Sequence, residues 1–377
     1  MPPPAGLDDP AYAEPLLIHI AALLRTVATP ATPPPGPGQQ RAADNDQPGK
    51  PVRQALLQAL CERERTRWYQ LGSQLSFNPD LPLADQVVAL GTLTAAADQA
   101  CATALLAALP NQAEVTRIGS EALAAWAHRL YAGPGYWNPL RPDLLAEQHL
   151  ADTAQLPALA TAAARLADGR DWETVVLTQL LAELTRAAPN QPQARAALDE
   201  LLAAALPRIV YLAVTTGPAG LADLASLALQ LAPRPDLAAP LAGQMPEHSV
   251  RLAALAATLT SQQVTQDRAN ALGGEPDAAS RLASSLNNLA VRLGELGRPE
   301  DALAAGQEAV AICRELAAAR PEAFRPDLAG SLHNLANQLA GLGRREEALA
   351  AGQEAAGVFR ELAAAARTRS ALTWPGR

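Results

Sequence analysis

Lysine is almost absent from the chain: Lys50 is the only one in 377 residues. It follows Gly49 but precedes Pro51 inside a Pro-rich stretch. A phosphate-cradling Gly-x-x-x-x-Gly-Lys-Ser/Thr loop needs its lysine at the mouth of a helix-capping turn, so the sequence holds no working P-loop. Cysteine is scarce too. Cys61, Cys101 and Cys313 are far apart and odd in number; they form neither a Cys-x-x-Cys pair nor a disulfide framework, and suit small buried hydrophobes in a reducing cytoplasm. The five histidines, His19, His128, His149, His248 and His333, show no helical two-histidine spacing and no pairing with cysteine. Glu147 is two residues from His149, on another helix face, so no metal site is expected. No Gly-x-Ser-x-Gly elbow occurs and the carboxylates are scattered, which leaves nucleophilic and general acid–base catalysis without a directed pair. The expectation is a non-enzyme with no cofactor.

Long apolar runs are missing as well. Pro15 to Leu24 contains His19 and is too short to span a bilayer. Ahead of Arg25 there is no Arg or Lys, and Asp8 and Asp9 stand where a signal peptide carries its positive charge. A soluble cytoplasmic protein is expected. Net charge is −8 with pI near 5.3, and no Lys/Arg cluster could track phosphates, which argues against a nucleic-acid partner. Arginine, alanine and proline abound together as in GC-rich bacterial genomes, so arginine number alone carries no functional weight. Aromatics are only 3% while apolar residues are 49%. Cores built from Ala, Leu and Val imply thin, closely packed helical layers, an all-α solenoid more than a sheet protein.

A repeat dominates the C-terminal part. Ser285-Leu286-Asn287-Asn288-Leu289-Ala290 returns 46 residues later as Ser331-Leu332-His333-Asn334-Leu335-Ala336, and 24 of 35 positions are identical between 285–319 and 331–365. Each copy predicts two helices. Leu286, Leu289, Ala290 and Leu293 recur at helical spacing, Gly297 sits where a left-handed C-cap is wanted, and Pro299 can open a second helix running to about Ala319. Gly306 and Gly352 each cost a helix roughly 1 kcal/mol relative to Ala, which implies close helix packing at both.

This pattern resembles the tetratricopeptide repeat: Leu286, Leu289, Ala290, Leu293, Gly297, Ala302 and Ala309 fall at its signature spacings, and Leu332, Leu335, Ala336, Leu339, Gly343, Ala348 and Ala355 repeat them. The large first residue of the family is Leu here, its late aromatic is replaced by Gly306 and Gly352, and the long period is similar to the kinesin-light-chain type of unit. The resemblance implies a curved array with a groove lined by first helices. It places Asn287, Val291, His333 and Asn337 on the groove, with Asn288 and Asn334 beside them. Asparagine carries donor and acceptor alike and suits the backbone amides of an extended peptide or its carboxylate. The implied partner is a protein or peptide segment.

Ahead of the repeats, residues 12 to 28 predict a short helix and 30 to 51 a flexible Pro/Gly-rich linker. A helix from Val52 to about Leu71 carries Leu56, Leu57, Leu60, Trp68 and Leu71 on one stripe, and helices at 82–94, 97–109 and 112–131 follow. Tyr131 to Glu147 gathers turn residues and aromatics and suggests a short strand or wing. Glu14-Pro15-Leu16-Leu17, Glu62 to Trp68 and Trp137 to Glu147, followed by Ala/Leu helices and repeats, resemble the part of bacterial STAND-type signalling ATPases that lies beyond their nucleotide-binding core. That resemblance implies a lid-like segment, a winged-helix-like domain and a sensor array, with the ATPase supplied in trans from another reading frame, borne on a part of the protein outside this sequence, or lost. From 156 to 268, breakers such as Pro189, Pro207, Gly217 and Pro233 predict irregular helical hairpins.

The expected organisation is a lid-like segment (1–29), linker (30–51), winged-helix-like domain (52–152), irregular repeats (153–272), two repeat units (273–366) and tail (367–377). The last long helix, with Val358, Phe359 and Leu362, has only that tail to cover it. Leu372 and Trp374 are expected to fold back as a cap, or the end face to self-associate.

Overall fold

The computed structural model describes residues 50–75, 79–217, 220–246 and 249–373. The expected helix at 12–28, the linker up to Gly49, His248 and Trp374 lie outside the described residues, as does the side chain of Leu372. All described regular structure is helical, and among the described residues no strand occurs. No described helix is long and apolar enough to cross a membrane. The chain divides into two units, Met1–Glu200 and Leu201–Arg377.

In the first unit α1 spans Lys50–Gln74. Lys50 and Pro51, assigned to the linker from sequence, already belong to this helix, because proline in a first turn gives up only an N–H that has no partner there. Its stripe buries Leu57, Cys61 and Trp68. Helix α2 (Leu81–Thr94) is capped by Asp80, which accepts the Leu83 N–H at 2.9 Å. It is apolar almost all round, with Leu83, Val87, Val88, Leu90 and Leu93 all buried. Such a helix belongs in the middle of a core, and around it pack α1, α5 (Ser120–Leu130), α6 (Asp143–Asp152), α7 (Leu156–Ala167) and α8 (Glu173–Ala187). The short α3 (Gln99–Leu105) and α4 (Gln112–Ile118) lie between α2 and α5. The single helix expected over 112–131 is broken at Gly119, whose φ of 98° only glycine adopts freely.

The strand or wing expected after Tyr131 does not form. Pro134, Pro139 and Pro142 supply no N–H to a ladder, and the aromatic side chain goes inward instead. Trp137 is 1% exposed, donates its indole N–H to the Ala124 carbonyl at 3.1 Å, and its ring lies 3.8 Å from where a Cβ on Gly91 of α2 would stand. The backbone N–H groups of Tyr136 and Trp137 donate to Ala97 and Ala96 in the α2–α3 connection. The Asn138 side chain closes the loop on the carbonyls of Tyr131 and Gly135.

Helix α9 (Pro192–Thr215) runs through Pro207, which from sequence reads as a breaker. An interior proline costs a helix about 3 kcal/mol. Leu202, Leu206, Ile209 and Val210 are fully buried around it, and at about 1.5–3 kcal/mol per large apolar side chain their burial outweighs the lost hydrogen bond.

The second unit continues with α10 (Leu221–Leu231), α11 (Pro235–Ala242), α12 (Ala253–Leu272), α13 (Ala278–Glu295), α14 (Pro299–Ala319), α15 (Pro321–Gly341) and α16 (Arg345–Thr373). From α11 onward each helix packs on the next, an all-α solenoid of hairpins. The 46-residue identity is reproduced in geometry: Gly297 and Gly343 adopt φ of 70° and 74°, while Arg298 N–H and Arg344 N–H each donate to the carbonyl five residues back, Leu293 and Leu339, at 2.9 Å. These are the C-caps that the glycines predict. Only one of the two helical glycines has a close neighbour, and that neighbour is the flexible end of a side chain. A Cβ on Gly306 would stand 2.2 Å from Gln338 Oε1 of α15, whereas one on Gly352 would meet Ala336 Cβ at an ordinary 3.9 Å.

Candidate functional site

The two first helices, α13 and α15, do not close on each other along their whole length. Between them, floored by α14, is a cleft of about 270 Å³. It exists because the facing positions are short: Ser280 and Ser284 on α13 look across to Pro326 and Gly330 on α15. Deeper in, Asn287 of α13 donates its Nδ2–H to Ser331 Oγ of α15 at 2.5 Å, and that oxygen lies 3.3 Å from Cys313 Sγ of α14. This chain of contacts ties the three helices together at the bottom of the cleft. Asn287 Oδ1 is buried without a hydrogen-bond partner, so the amide that bridges the wall is only half satisfied.

Cys313 is 2% exposed. Burial pushes its thiol above the usual range, the Ser331 hydrogen bond pulls it back, and the Asp327 carboxylate raises it further. It is a neutral thiol there, without thiolate reactivity. Asp327, exposed on the rim of α15, makes no hydrogen bond or ion pair with any described residue. Among the residues lining the cleft it alone carries a charge.

Three of the six residues expected on the groove are brought together here: Asn287 and Asn288 from α13 and Asn334 from α15. The other three do not line the cleft. Val291 is 43% exposed on α13, and His333 and Asn337 lie on an exposed face of α15 with the Asn337 amide nitrogen 3.4 Å from His333 Nε2. Asp327, Ser331, Ser280 and Ser284 line the cleft unforeseen, being polar residues of kinds that ordinarily face solvent on a helix. The signal available was the pairing of small residues 46 apart, Ser284 with Gly330, where a bulky pair would have filled the gap.

The helices that form these walls can now be set against known proteins. Residues 282–318 and 328–363 match the tetratricopeptide repeat model. The first match covers most of α13 with α14, the second most of α15 with α16. Its two copies therefore coincide with the two hairpins whose first helices bound the cleft. No curated protein and no solved structure matches the chain. Among the described residues no group of three or more His, Cys, Asp or Glu side chains is placed to hold a metal ion.

The first unit carries a different polar cluster, buried at His149 and Cys61 and half-buried at Arg65 and Asp85. His149 of α6 is 1% exposed and its Nε2 lies 3.0 Å from the Asp85 carbonyl of α2. Asp85 in turn accepts from Arg65 Nε of α1 at 2.9 Å. Cys61 is buried beside them, its thiol pushed up to about 12, first by burial and then by the Asp152 carboxylate. A buried histidine next to a carboxylate and a thiol has the composition of a nucleophilic site. With imidazole and thiol both enclosed and the thiol held neutral, the cluster ties α1, α2 and α6 together.

Proposed function

We propose that the chain is a protein-interaction scaffold that holds a peptide or protein segment in the cleft between α13 and α15. The observation that carries this reading is the cleft itself, bounded by the first helices of both repeats and lined by Asn288, Asn334 and Asp327, whose polar atoms are available to a ligand backbone. Repeat frameworks of this kind fix a shape, while the side chains on the groove decide what it takes. The reading is one of binding without turnover, the one thiol in the cleft being held neutral first by burial. The reading as the regulatory arm of a STAND-type ATPase rests on the sequence resemblance alone.

Selecting peptides from a random display library on the full chain tests the proposal. Ser284→Trp fills the cleft from an exposed position of α13, so peptides selected on the unmodified chain should lose binding to this variant, as they should to Asn288→Ala with Asn334→Ala. Undiminished binding by both variants would place the interaction elsewhere. Self-association, proposed as a separate property of the end face, would act through Leu349 and Phe359 of α16, which are 62% and 47% exposed. Sedimentation over a concentration series, with Phe359→Glu as control, reads it directly, and a monomer at every concentration would refute it.

A further inference from the structure

The cleft is selective in sign as well as in shape. Its one charge is the Asp327 carboxylate, and no Lys or Arg lines it. The arginines nearest in sequence to its walls are already engaged: Arg281 with Glu275, Arg320 with Asp277 and Arg325 with Glu361. The polar floor is engaged too. Asn287 spends its amide N–H on Ser331, and Ser284 donates its hydroxyl to the Ser280 carbonyl. What remains open to a ligand is Asp327, which only accepts, and the amides of Asn288 and Asn334, which accept and donate alike.

A carboxylate entering this space would face Asp327 with no cation to offset the repulsion. An apolar side chain would strip water from the amides and return no hydrogen bond. A guanidinium presents five N–H donors in a planar fork and accepts none, which matches a cleft whose one charge is a carboxylate and whose other open groups include amide oxygens. We infer that the cleft between α13 and α15 receives a cationic side chain, best an arginine, from the bound segment, with Asp327 as its counter-ion and Asn288 and Asn334 sharing the remaining donors. The inference rests on the reading of the cleft as a peptide site and adds the chemistry of its ligand.

The test uses the full chain labelled with ¹⁵N at asparagine, titrated with acetylated, amidated glycine pentapeptides whose central residue is arginine, glutamate or leucine. The arginine peptide should shift the side-chain amide signals of Asn287, Asn288 and Asn334 at lower concentration than the other two, and more weakly as salt is raised. Asp327→Asn, an exposed substitution that spares the core, should weaken the arginine peptide by about fivefold, and Asp327→Arg should turn the preference toward glutamate. If the peptides shift the amides but glutamate binds as tightly as arginine, or Asp327→Asn changes nothing, the cationic assignment is wrong and the cleft remains a peptide site. If none of the peptides moves these signals, both readings fall.

Discussion

The buried imidazole of His149 should make the first unit sensitive to mild acid. Its ring is enclosed by Trp68, edge-on with centroids 5.3 Å apart, and by α2. Nε2–H donates to the Asp85 carbonyl, while Nδ1 has no hydrogen-bond partner and lies 3.7 Å from Asp85 Oδ1. The charged groups acting on it are Asp85 from α2 and Arg65 from α1. Burial is the largest influence and lowers the imidazole to about 4, with Asp85 opposing it and Arg65 adding to it. An unfolded chain takes up this proton near 6.5. The stabilisation is therefore complete above about pH 6.5, declines as pH falls, and is lost through about pH 4. The full difference is on the order of 3 kcal/mol, of which about 2 kcal/mol is gone by about pH 5. Four of the five tryptophans, Trp68, Trp126, Trp137 and Trp172, belong to the first unit, so urea unfolding followed by tryptophan fluorescence reports chiefly on it. His149→Gln keeps a donor for the Asp85 carbonyl and does not titrate. Between about pH 7.5 and pH 5 the unmodified chain should lose about 2 kcal/mol more than this variant. Equal losses would refute the reasoning, because other groups would then carry the acid sensitivity.

The internal repeat supplies matched pairs for two further expectations. Leu303 is 8% exposed and clusters with Leu339 and Ala351, whereas Leu349, its counterpart 46 residues on, is 62% exposed. Leu303→Ala should cost about 2–4 kcal/mol and Leu349→Ala less than about 0.5 kcal/mol, compared by urea unfolding followed by helical circular dichroism; similar losses would contradict the assigned packing. Gly352→Ala should stabilise by about 0.5–1 kcal/mol, since its Cβ has room and helix propensity improves. Gly306→Ala has to move only the flexible end of Gln338, whose Oε1 has no hydrogen-bond partner, so it should gain less than Gly352→Ala, and Gln338→Ala in the same chain should bring the two gains together. The difference between the two gains decides whether Gln338 opposes a side chain at Gly306.

Much of the fold could be read from the residues, for reasons that also mark where reading stops. Helix α14 spans Pro299–Ala319 as expected, because the chain states the hairpin twice and brackets it with a C-cap glycine and an N-terminal proline. Gly119 and Pro207 were misjudged in opposite directions. Both carry backbone preferences that local sequence expresses fully, but whether a helix breaks depends on what is buried on either side, and that is tertiary information. Trp137 shows the same limit: its turn-rich setting suggested a strand, yet the room left by Gly91 on α2 decided its place. At the cleft, family spacing chose Asn287, with Asn288 and Asn334 beside it, but it also chose Val291, His333 and Asn337, which lie elsewhere, and it did not point to Asp327. Its counterpart 46 residues earlier is Arg281, ahead of the identical block, so comparing the copies gives that position no common role.

The ion pairs between second helices show that repeat geometry outlasts repeat sequence. Arg314 of α14 bonds Glu354 of α16 at 2.7 Å, and 46 residues earlier Arg268 of α12 bonds Glu308 of α14 at the same distance. Helix α12 lies outside both matched segments, yet it holds the place of a second helix, packing on α11 at one side and α13 at the other. Between α12 and α14, Ala256 with Ala302 and Val264 with Val310 are identical in the same register, and all four are buried. What survives is the buried contact and the cross-helix pair that set the stacking step. The exposed positions between them, which carry most of a repeat's recognisable signature, have no such constraint. The array thus reaches back at least one hairpin beyond where sequence identity marks it, and an exposed pair such as Arg268 with Glu308, worth about 0–1 kcal/mol, records its register more than it holds it together.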